Sequence, residues 1–139
     1  MRLNWLDLVG ALEHRGGGQY GVDPADGRVR FFDVHELESD DPRELLDTDR
    51  YLMVDPITDW TLQSWVTEFA KMLGKPELAD AADSARPTRE IRHRLAGDSA
   101  GVAAWSDFYR SRLQDAAVAW ASATGLVPEN LPPWSEQDE

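Results

Sequence analysis

The chain has 139 residues, of which 42% are hydrophobic and 29% charged, and its net charge is −12. This size and composition are typical of one globular domain, and the absence of cysteine excludes disulfide bonds and thiolate metal sites. The N-terminus lacks an apolar signal-peptide core, and no segment approaches the roughly 20 apolar residues of a membrane span. We therefore expect a cytoplasmic protein with no membrane partner, whose acidic surface disfavours broad nucleic-acid binding.

A helix and a small antiparallel sheet are predicted for the N-terminal part of the chain. Trp5, Leu8 and Leu12 recur at helical spacing, and Asn4 suits an N-cap. A Pro-x-Asp-Gly sequence at 24–27 then separates two alternating runs, which is typical of a β-hairpin because Asp-Gly readily adopts positive φ. A short apolar run at residues 51–54 is expected to add a third strand. The three strands are expected at residues 19–23, 28–33 and 51–55.

Residues 34–49 are acidic and are expected to form a loop followed by a short helix that begins near Pro42. The run Glu36-x-Glu38-x-Asp40-Asp41 offers oxygen ligands of the kind that Ca²⁺ prefers. It lacks the spacing, the central glycine and the terminal glutamate of a calcium-binding loop. A solvated acidic segment is therefore predicted here.

The rest of the chain is predicted to be mainly helical, with proline starts and glycine ends. The helices are expected within residues 58–74, 76–85, 87–97 and 98–125. Their widest apolar stripes are aromatic, so we predict one core between two helices and the sheet. The predicted core residues are Trp65, Phe69, Trp105, Phe108 and Trp120.

These elements predict an α+β fold with a three-stranded antiparallel sheet and four or five helices in a single layer on one face. Residues 1–127 are predicted to form a single domain, and residues 128–139 an irregular acidic tail. Trp134 lies in this proline-bearing tail. It either docks on the domain or is offered to a partner in extended form.

The order of these elements resembles the uncharacterised bacterial protein family UPF0158. The similarity covers roughly residues 3–127. The residues that carry it are Tyr20…Asp23-x-x-Asp26-Gly27, Arg50-Tyr51-Leu52, Met72-Leu73, Trp105…Phe108-Tyr109…Trp120 and Gly125-Leu126. The basic segment 86–94 keeps Ile91 but lacks the glycines and aromatic residues usual in the family. The resemblance implies a small cytoplasmic domain and supplies no activity.

No catalytic or metal site is predicted. His14, His35 and His93 are far apart, and none has a second ligand three or four residues away. No serine lies in a Gly-x-Ser-x-Gly elbow, and the glycines at 16–18 are not followed by the Lys-Ser/Thr of a phosphate loop. We therefore expect no cofactor and no enzymatic activity.

The charge is distributed unevenly. Residues 1–85 carry a net charge of −10 and residues 113–139 carry −5, whereas residues 86–112 carry +3. The main hypothesis is a non-enzymatic protein-interaction or regulatory module that uses its acidic surface to bind another, basic protein. The alternative is a binder of an anionic ligand, either a nucleotide or a nucleic acid, through residues 86–112.

The arginines of residues 86–112 allow two interpretations. They can form exposed salt bridges with the surplus carboxylates, or several can converge on an anion, since guanidinium groups fork onto phosphate or carboxylate. The salt-bridge interpretation is preferred; if it fails, Arg89 and Arg92, which share a helical face, are the pair predicted to bind an anion. The six arginines are Arg86, Arg89, Arg92, Arg94, Arg110 and Arg112.

Overall fold

The computed structural model describes residues 1–135. Its strands are β1 (Gln19–Val22), β2 (Val29–Phe32) and β3 (Leu52–Met53). Its helices are α1 (Trp5–Glu13), α2 (Val34–Leu37), α3 (Pro42–Arg50), α4 (Asp59–Met72), a 3₁₀ helix (Pro76–Asp83), α5 (Pro87–Arg94) and α6 (Ser99–Ala123). Within residues 1–135, no helix combines the length and the apolar character needed to cross a membrane.

The chain divides into two compact units. The first comprises Met1–Pro56 and the described part of Leu113–Glu139, and the second comprises Ile57–Arg112. The single domain expected over residues 1–127 stays a prediction.

The sheet is three-stranded and antiparallel, with the strand order β2-β1-β3. In the hairpin, Gln19 pairs with Phe32 and Val22 with Val29, so β1 takes the central position. The third strand is shorter than expected, because only Leu52 and Met53 pair with β1. The predicted α+β class and the predicted antiparallel sheet are confirmed.

The turn between β1 and β2 shows the predicted Asp-Gly chemistry. The Gly27 N–H donates to the Asp23 carbonyl at 2.8 Å, and Gly27 has a φ of 77°. A Cβ atom at this position would stand 2.0 Å from the Arg2 carbonyl oxygen. The Gly27 carbonyl in turn accepts the Asn4 N–H at 3.2 Å, at the start of α1. A glycine is therefore required both by the backbone conformation and by the close approach of the N-terminal segment.

Helix α2 lies where the sequence predicts a loop. The Asp33 carboxylate accepts the Glu36 N–H at 2.8 Å, and the Glu36 carboxylate accepts the Asp33 N–H at 3.3 Å. This reciprocal capping box nucleates a short helix without any buried residue. Residues 1–135 therefore contain six α-helices and one 3₁₀ helix, more than the four or five expected.

The C-terminal segment packs on the N-terminal segment within the first unit. The Leu3 N–H donates to the Asn130 side chain at 2.8 Å, and the indole N–H of Trp5 donates to the Asn130 carbonyl at 3.2 Å. The rings of Trp5 and Trp134 meet edge to face, with their centroids 5.9 Å apart. Of the two alternatives for Trp134, docking is the one that the structure shows. The tail residues 136–139 lie outside the described part.

The second unit contains a hydrophobic core that is built from helices alone. Trp105 is completely buried, and its ring meets that of Phe69 at a centroid distance of 5.2 Å. The buried members are Val66, Phe69, Ala70, Leu78, Ala81, Ala82, Ile91, Leu95 and Trp105, with Phe108 partly buried against them. Trp120 lies on the part of α6 that belongs to the first unit and is half-buried. The long α6 contributes to both units, and that Trp120 and the sheet join this core stays a prediction.

Helix α6 begins at Ser99, directly after Asp98. The Asp98 carboxylate accepts the Gly101 N–H at 3.0 Å and lies 3.3 Å from the Lys75 ammonium. The Gly101 hydrogen bond and the Lys75 contact lower the pKa of Asp98 below its usual value.

Replacing Trp105 or Phe69 with alanine should lower the free energy of unfolding by about 3–5 kcal/mol, because each change leaves a cavity in the core. Urea denaturation of the variants measures this loss. Trp60 is a matched control, since it is 76% exposed, and Trp60→Ala should change the free energy by less than about 0.5 kcal/mol. Losses below about 1 kcal/mol for both core variants would contradict the packing described.

Gly27→Ala should destabilise the protein more than Gly74→Ala does. Both glycines have positive φ, 77° and 71°, so each substitution costs about 1–2 kcal/mol of backbone strain. Only at Gly27 does the added Cβ meet backbone atoms, whereas nothing lies within 4 Å at Gly74. The clash should add about 1–3 kcal/mol. Equal losses in thermal unfolding would show that the Arg2 segment moves away freely.

Candidate functional site

Residues 34–50, which we call the α2–α3 surface, contain no buried side chain in either helix. Local capping accounts for the helices. The Asp41 carboxylate accepts the Arg43 N–H at 2.9 Å, and Pro42 occupies the first turn of α3. The helices thus form without an apolar face that packs on the sheet.

Large apolar side chains of the α2–α3 surface are exposed. Leu46 is 71% exposed and Leu45 precedes it on α3. The exposed apolar residues of this surface are Val34, Leu37, Leu45 and Leu46. Single exposed apolar residues are ordinary, but a group on two successive helices is typical of an interaction site.

The same surface carries seven carboxylates and two arginines. Glu36 and Asp47 form ion pairs with Arg30 of β2, at 2.8 and 3.9 Å. The remaining carboxylates have no ion pair with any residue of the described chain. They are Glu38, Asp40, Asp41, Glu44 and Asp49. The exposed leucines are therefore surrounded by negative charge that the protein itself does not neutralise.

Two arginines hold the α2–α3 surface on the sheet. Arg30 bridges Glu36 and Asp47, and its guanidinium lies 4.4 Å from the centroid of the Phe32 ring. Arg50, the last residue of α3, lies 3.3 Å from the Asp23 carboxylate in the hairpin turn. The hydrogen bond to the Tyr51 hydroxyl, and then the charge of Asp23, raise the pKa of Arg50 above its usual value.

In the second unit, the arginines of residues 86–112 fall into two groups. Arg94 pairs with Glu90 at 3.1 Å, Arg110 pairs with Asp107, and Arg112 pairs with Glu68. These three form the salt bridges that the first interpretation predicts. The second group forms no ion pair within residues 1–135 and consists of Arg86, Arg89 and Arg92.

An open cleft of about 420 Å³ lies at the start of α5. Arg86, Arg89 and His93 line it, whereas Arg92 does not. Sequence reasoning paired Arg89 with Arg92 and missed Arg86 and His93. The spacing of four residues from Arg89 to His93 was the available signal for these two, since it places both on one helical face, whereas Arg86 precedes the helix.

His14 packs against neighbouring residues of the first unit, and the acidic run belongs to no metal-binding group in the described residues. The His14 ring lies 2.9 Å from the Gly17 carbonyl and meets the rings of Tyr20 and Phe31 edge to face. Within the described residues, no group of three histidine, aspartate or glutamate side chains is arranged to hold a metal ion. His14 therefore acts in packing at the end of α1.

A second open groove, of about 470 Å³, lies beside the exposed indole of Trp60 on α4. Its charged lining residues are Glu68, Lys71 and Asp83, of which Glu68 is already paired with Arg112, so that Lys71 and Asp83 balance each other. The groove therefore presents no excess of either charge that would select a class of ligand.

Comparisons of the chain with protein-family models, with curated protein sequences and with solved structures find no match. The resemblance to UPF0158 therefore stays a prediction. What the protein does has to be inferred from the charges, exposure and contacts of its own side chains.

Arg30→Gln should loosen the α2–α3 surface without unfolding the sheet. The change removes two partly exposed ion pairs and the contact with the Phe32 ring, together worth about 1 kcal/mol. Amide hydrogen exchange in α3 should therefore become about fivefold faster. The control is Arg28→Gln, because the sole ion pair of Arg28 within residues 1–135 is with the exposed Asp26, at 3.7 Å. Equal exchange rates in the two variants would show that Arg30 is not an anchor.

Proposed function

We propose that the protein is a non-enzymatic interaction module whose α2–α3 surface binds a basic, amphipathic segment of another protein. One observation carries the proposal. Leu45 and Leu46 are exposed on a helix with no buried residue, among carboxylates that lack cationic partners in the described chain. An apolar contact with an unneutralised acidic rim calls for a partner that supplies both apolar side chains and positive charge.

The exposed leucines supply the affinity of the proposed complex. Fully burying one leucine side chain stabilises a complex by about 1.5–3 kcal/mol relative to leaving it exposed. Leu46 and Leu45 are adjacent on α3, and Leu37 of α2 adds a third apolar contact on the same surface. An amphipathic segment with apolar residues at helical spacing is the common partner of such a surface.

The carboxylates determine which partners bind and how fast they associate. A net charge of −12 draws basic partners towards the protein and repels acidic ones. Rim charges act mainly on the association rate and on its salt dependence. We therefore expect a partner rich in lysine or arginine, bound more weakly as the salt concentration rises.

Leu45→Ser/Leu46→Ser should weaken binding by about 30-fold or more, because the exposed parts of Leu45 and Leu46, 42% and 71%, no longer bury apolar surface. Proteins captured from native lysate by the wild type are identified, and the affinity of a captured basic protein is then measured. The control is Leu6→Ser/Val127→Ser, which changes two exposed apolar residues elsewhere in the first unit. This control should bind like the wild type.

Charge is tested separately with Glu38→Gln/Asp40→Asn/Asp49→Asn, which removes three carboxylates without ion-pair partners in residues 1–135. This variant should associate more slowly and show a weaker salt dependence. Equal capture by the wild type and the serine variant, or capture of acidic proteins only, would refute the proposal.

A further inference from the structure

Two arginines without ion-pair partners in residues 1–135 face one cleft, in a protein that carries 26 acidic residues and only 14 lysines and arginines. Arg86 and Arg89 both line the cleft at the start of α5, and neither forms an ion pair with any described residue. Glu90 is the single carboxylate among the residues that line this cleft. It accepts a hydrogen bond from Arg94 at 3.1 Å, so its charge is already engaged. The cleft therefore presents positive charge in an otherwise acidic molecule.

We propose that this cleft binds a small phosphorylated ligand through Arg86, Arg89 and His93. Guanidinium groups donate paired hydrogen bonds that match the oxygens of a phosphate group. The imidazole of His93 adds a further donor one turn along the same helical face. The Ser84 hydroxyl accepts the Arg86 N–H at 3.2 Å, which leaves its own O–H to donate. This site is independent of the proposed interaction module, since it lies in the other unit.

Size and charge favour a small ligand over a nucleic acid. The volume of about 420 Å³ lies within the range of about 300–1,000 Å³ that is usual for small-molecule sites. A nucleic acid would extend beyond the cleft and bring further phosphates against a protein with a net charge of −12. A single phosphate group would contact only the positively charged residues of the cleft and not the acidic surface around it.

The test is calorimetric titration of inorganic phosphate and of AMP into the full chain at low ionic strength. Arg86→Gln/Arg89→Gln should weaken binding of both probes by about tenfold or more, because hydrogen bonds to a charged group are lost. The control is Arg2→Gln/Arg92→Gln, which removes two exposed arginines that lie outside the cleft. This control should stay within about twofold of the wild type. Tighter binding of AMP than of phosphate would identify a nucleotide, and equal binding a phosphate group alone.

Other outcomes overturn the proposal. Absence of binding of both probes at millimolar concentration would rule out the site. Equal weakening in the two variants would mean that only net charge matters. Tighter binding of a short single-stranded oligonucleotide than of AMP would replace the small ligand with a nucleic acid.

Discussion

The buried carboxylate of Asp23 is the constraint on which the arrangement of the first unit depends. Asp23 is 4% exposed, its side chain accepts the Ala25 N–H at 2.9 Å, and its charge faces Arg50 at 3.3 Å. A buried carboxylate is unfavourable unless it is hydrogen-bonded and paired with a cation, so the hairpin turn and the end of α3 stabilise each other. The same turn accepts the Asn4 N–H through the Gly27 carbonyl. The sheet, α1 and α3 are therefore joined at one polar junction.

This junction explains how α3 can be ordered without contributing to a core. A helix of this length is marginal alone, and most helical stability in proteins comes from packing an apolar face. Here caps, Arg30 and Arg50 replace that packing, which leaves Leu45 and Leu46 in solvent. Segments held by partly exposed polar contacts lie at the low-stability end of a fold, and binding elements are often drawn from it. The exposure of these leucines and the weak anchoring of α3 have the same cause.

Local signals in the sequence predicted much of the fold, and what they missed was either too short to show a period or set by contacts between distant residues. The hairpin could be predicted from Asp26-Gly27 because the turn chemistry of this pair is local. The helix α6 could be predicted from the spacing of its aromatic residues. Helix α2 was missed because four residues carry no periodicity, although the Asp33–Glu36 capping box was readable. The place of Trp120 in a core stays a prediction, because periodicity shows that a face is apolar but not which element covers it.

The arginines of residues 86–112 show how far sequence spacing alone can separate paired from unpaired charges. Arg94 and Arg110 have a carboxylate four and three residues before them, and both are paired in the structure. Arg89 and Arg92 have none at three or four residues in either direction, so helical geometry leaves them without a local partner. Spacing could not show that Arg89 lines a cleft and Arg92 does not, because the cleft also needs residues 84–86, which precede the helix. That Arg89 and Arg92 are unpaired was thus readable from the sequence, whereas the convergence of Arg86 and Arg89 on a cleft depends on how the chain enters α5.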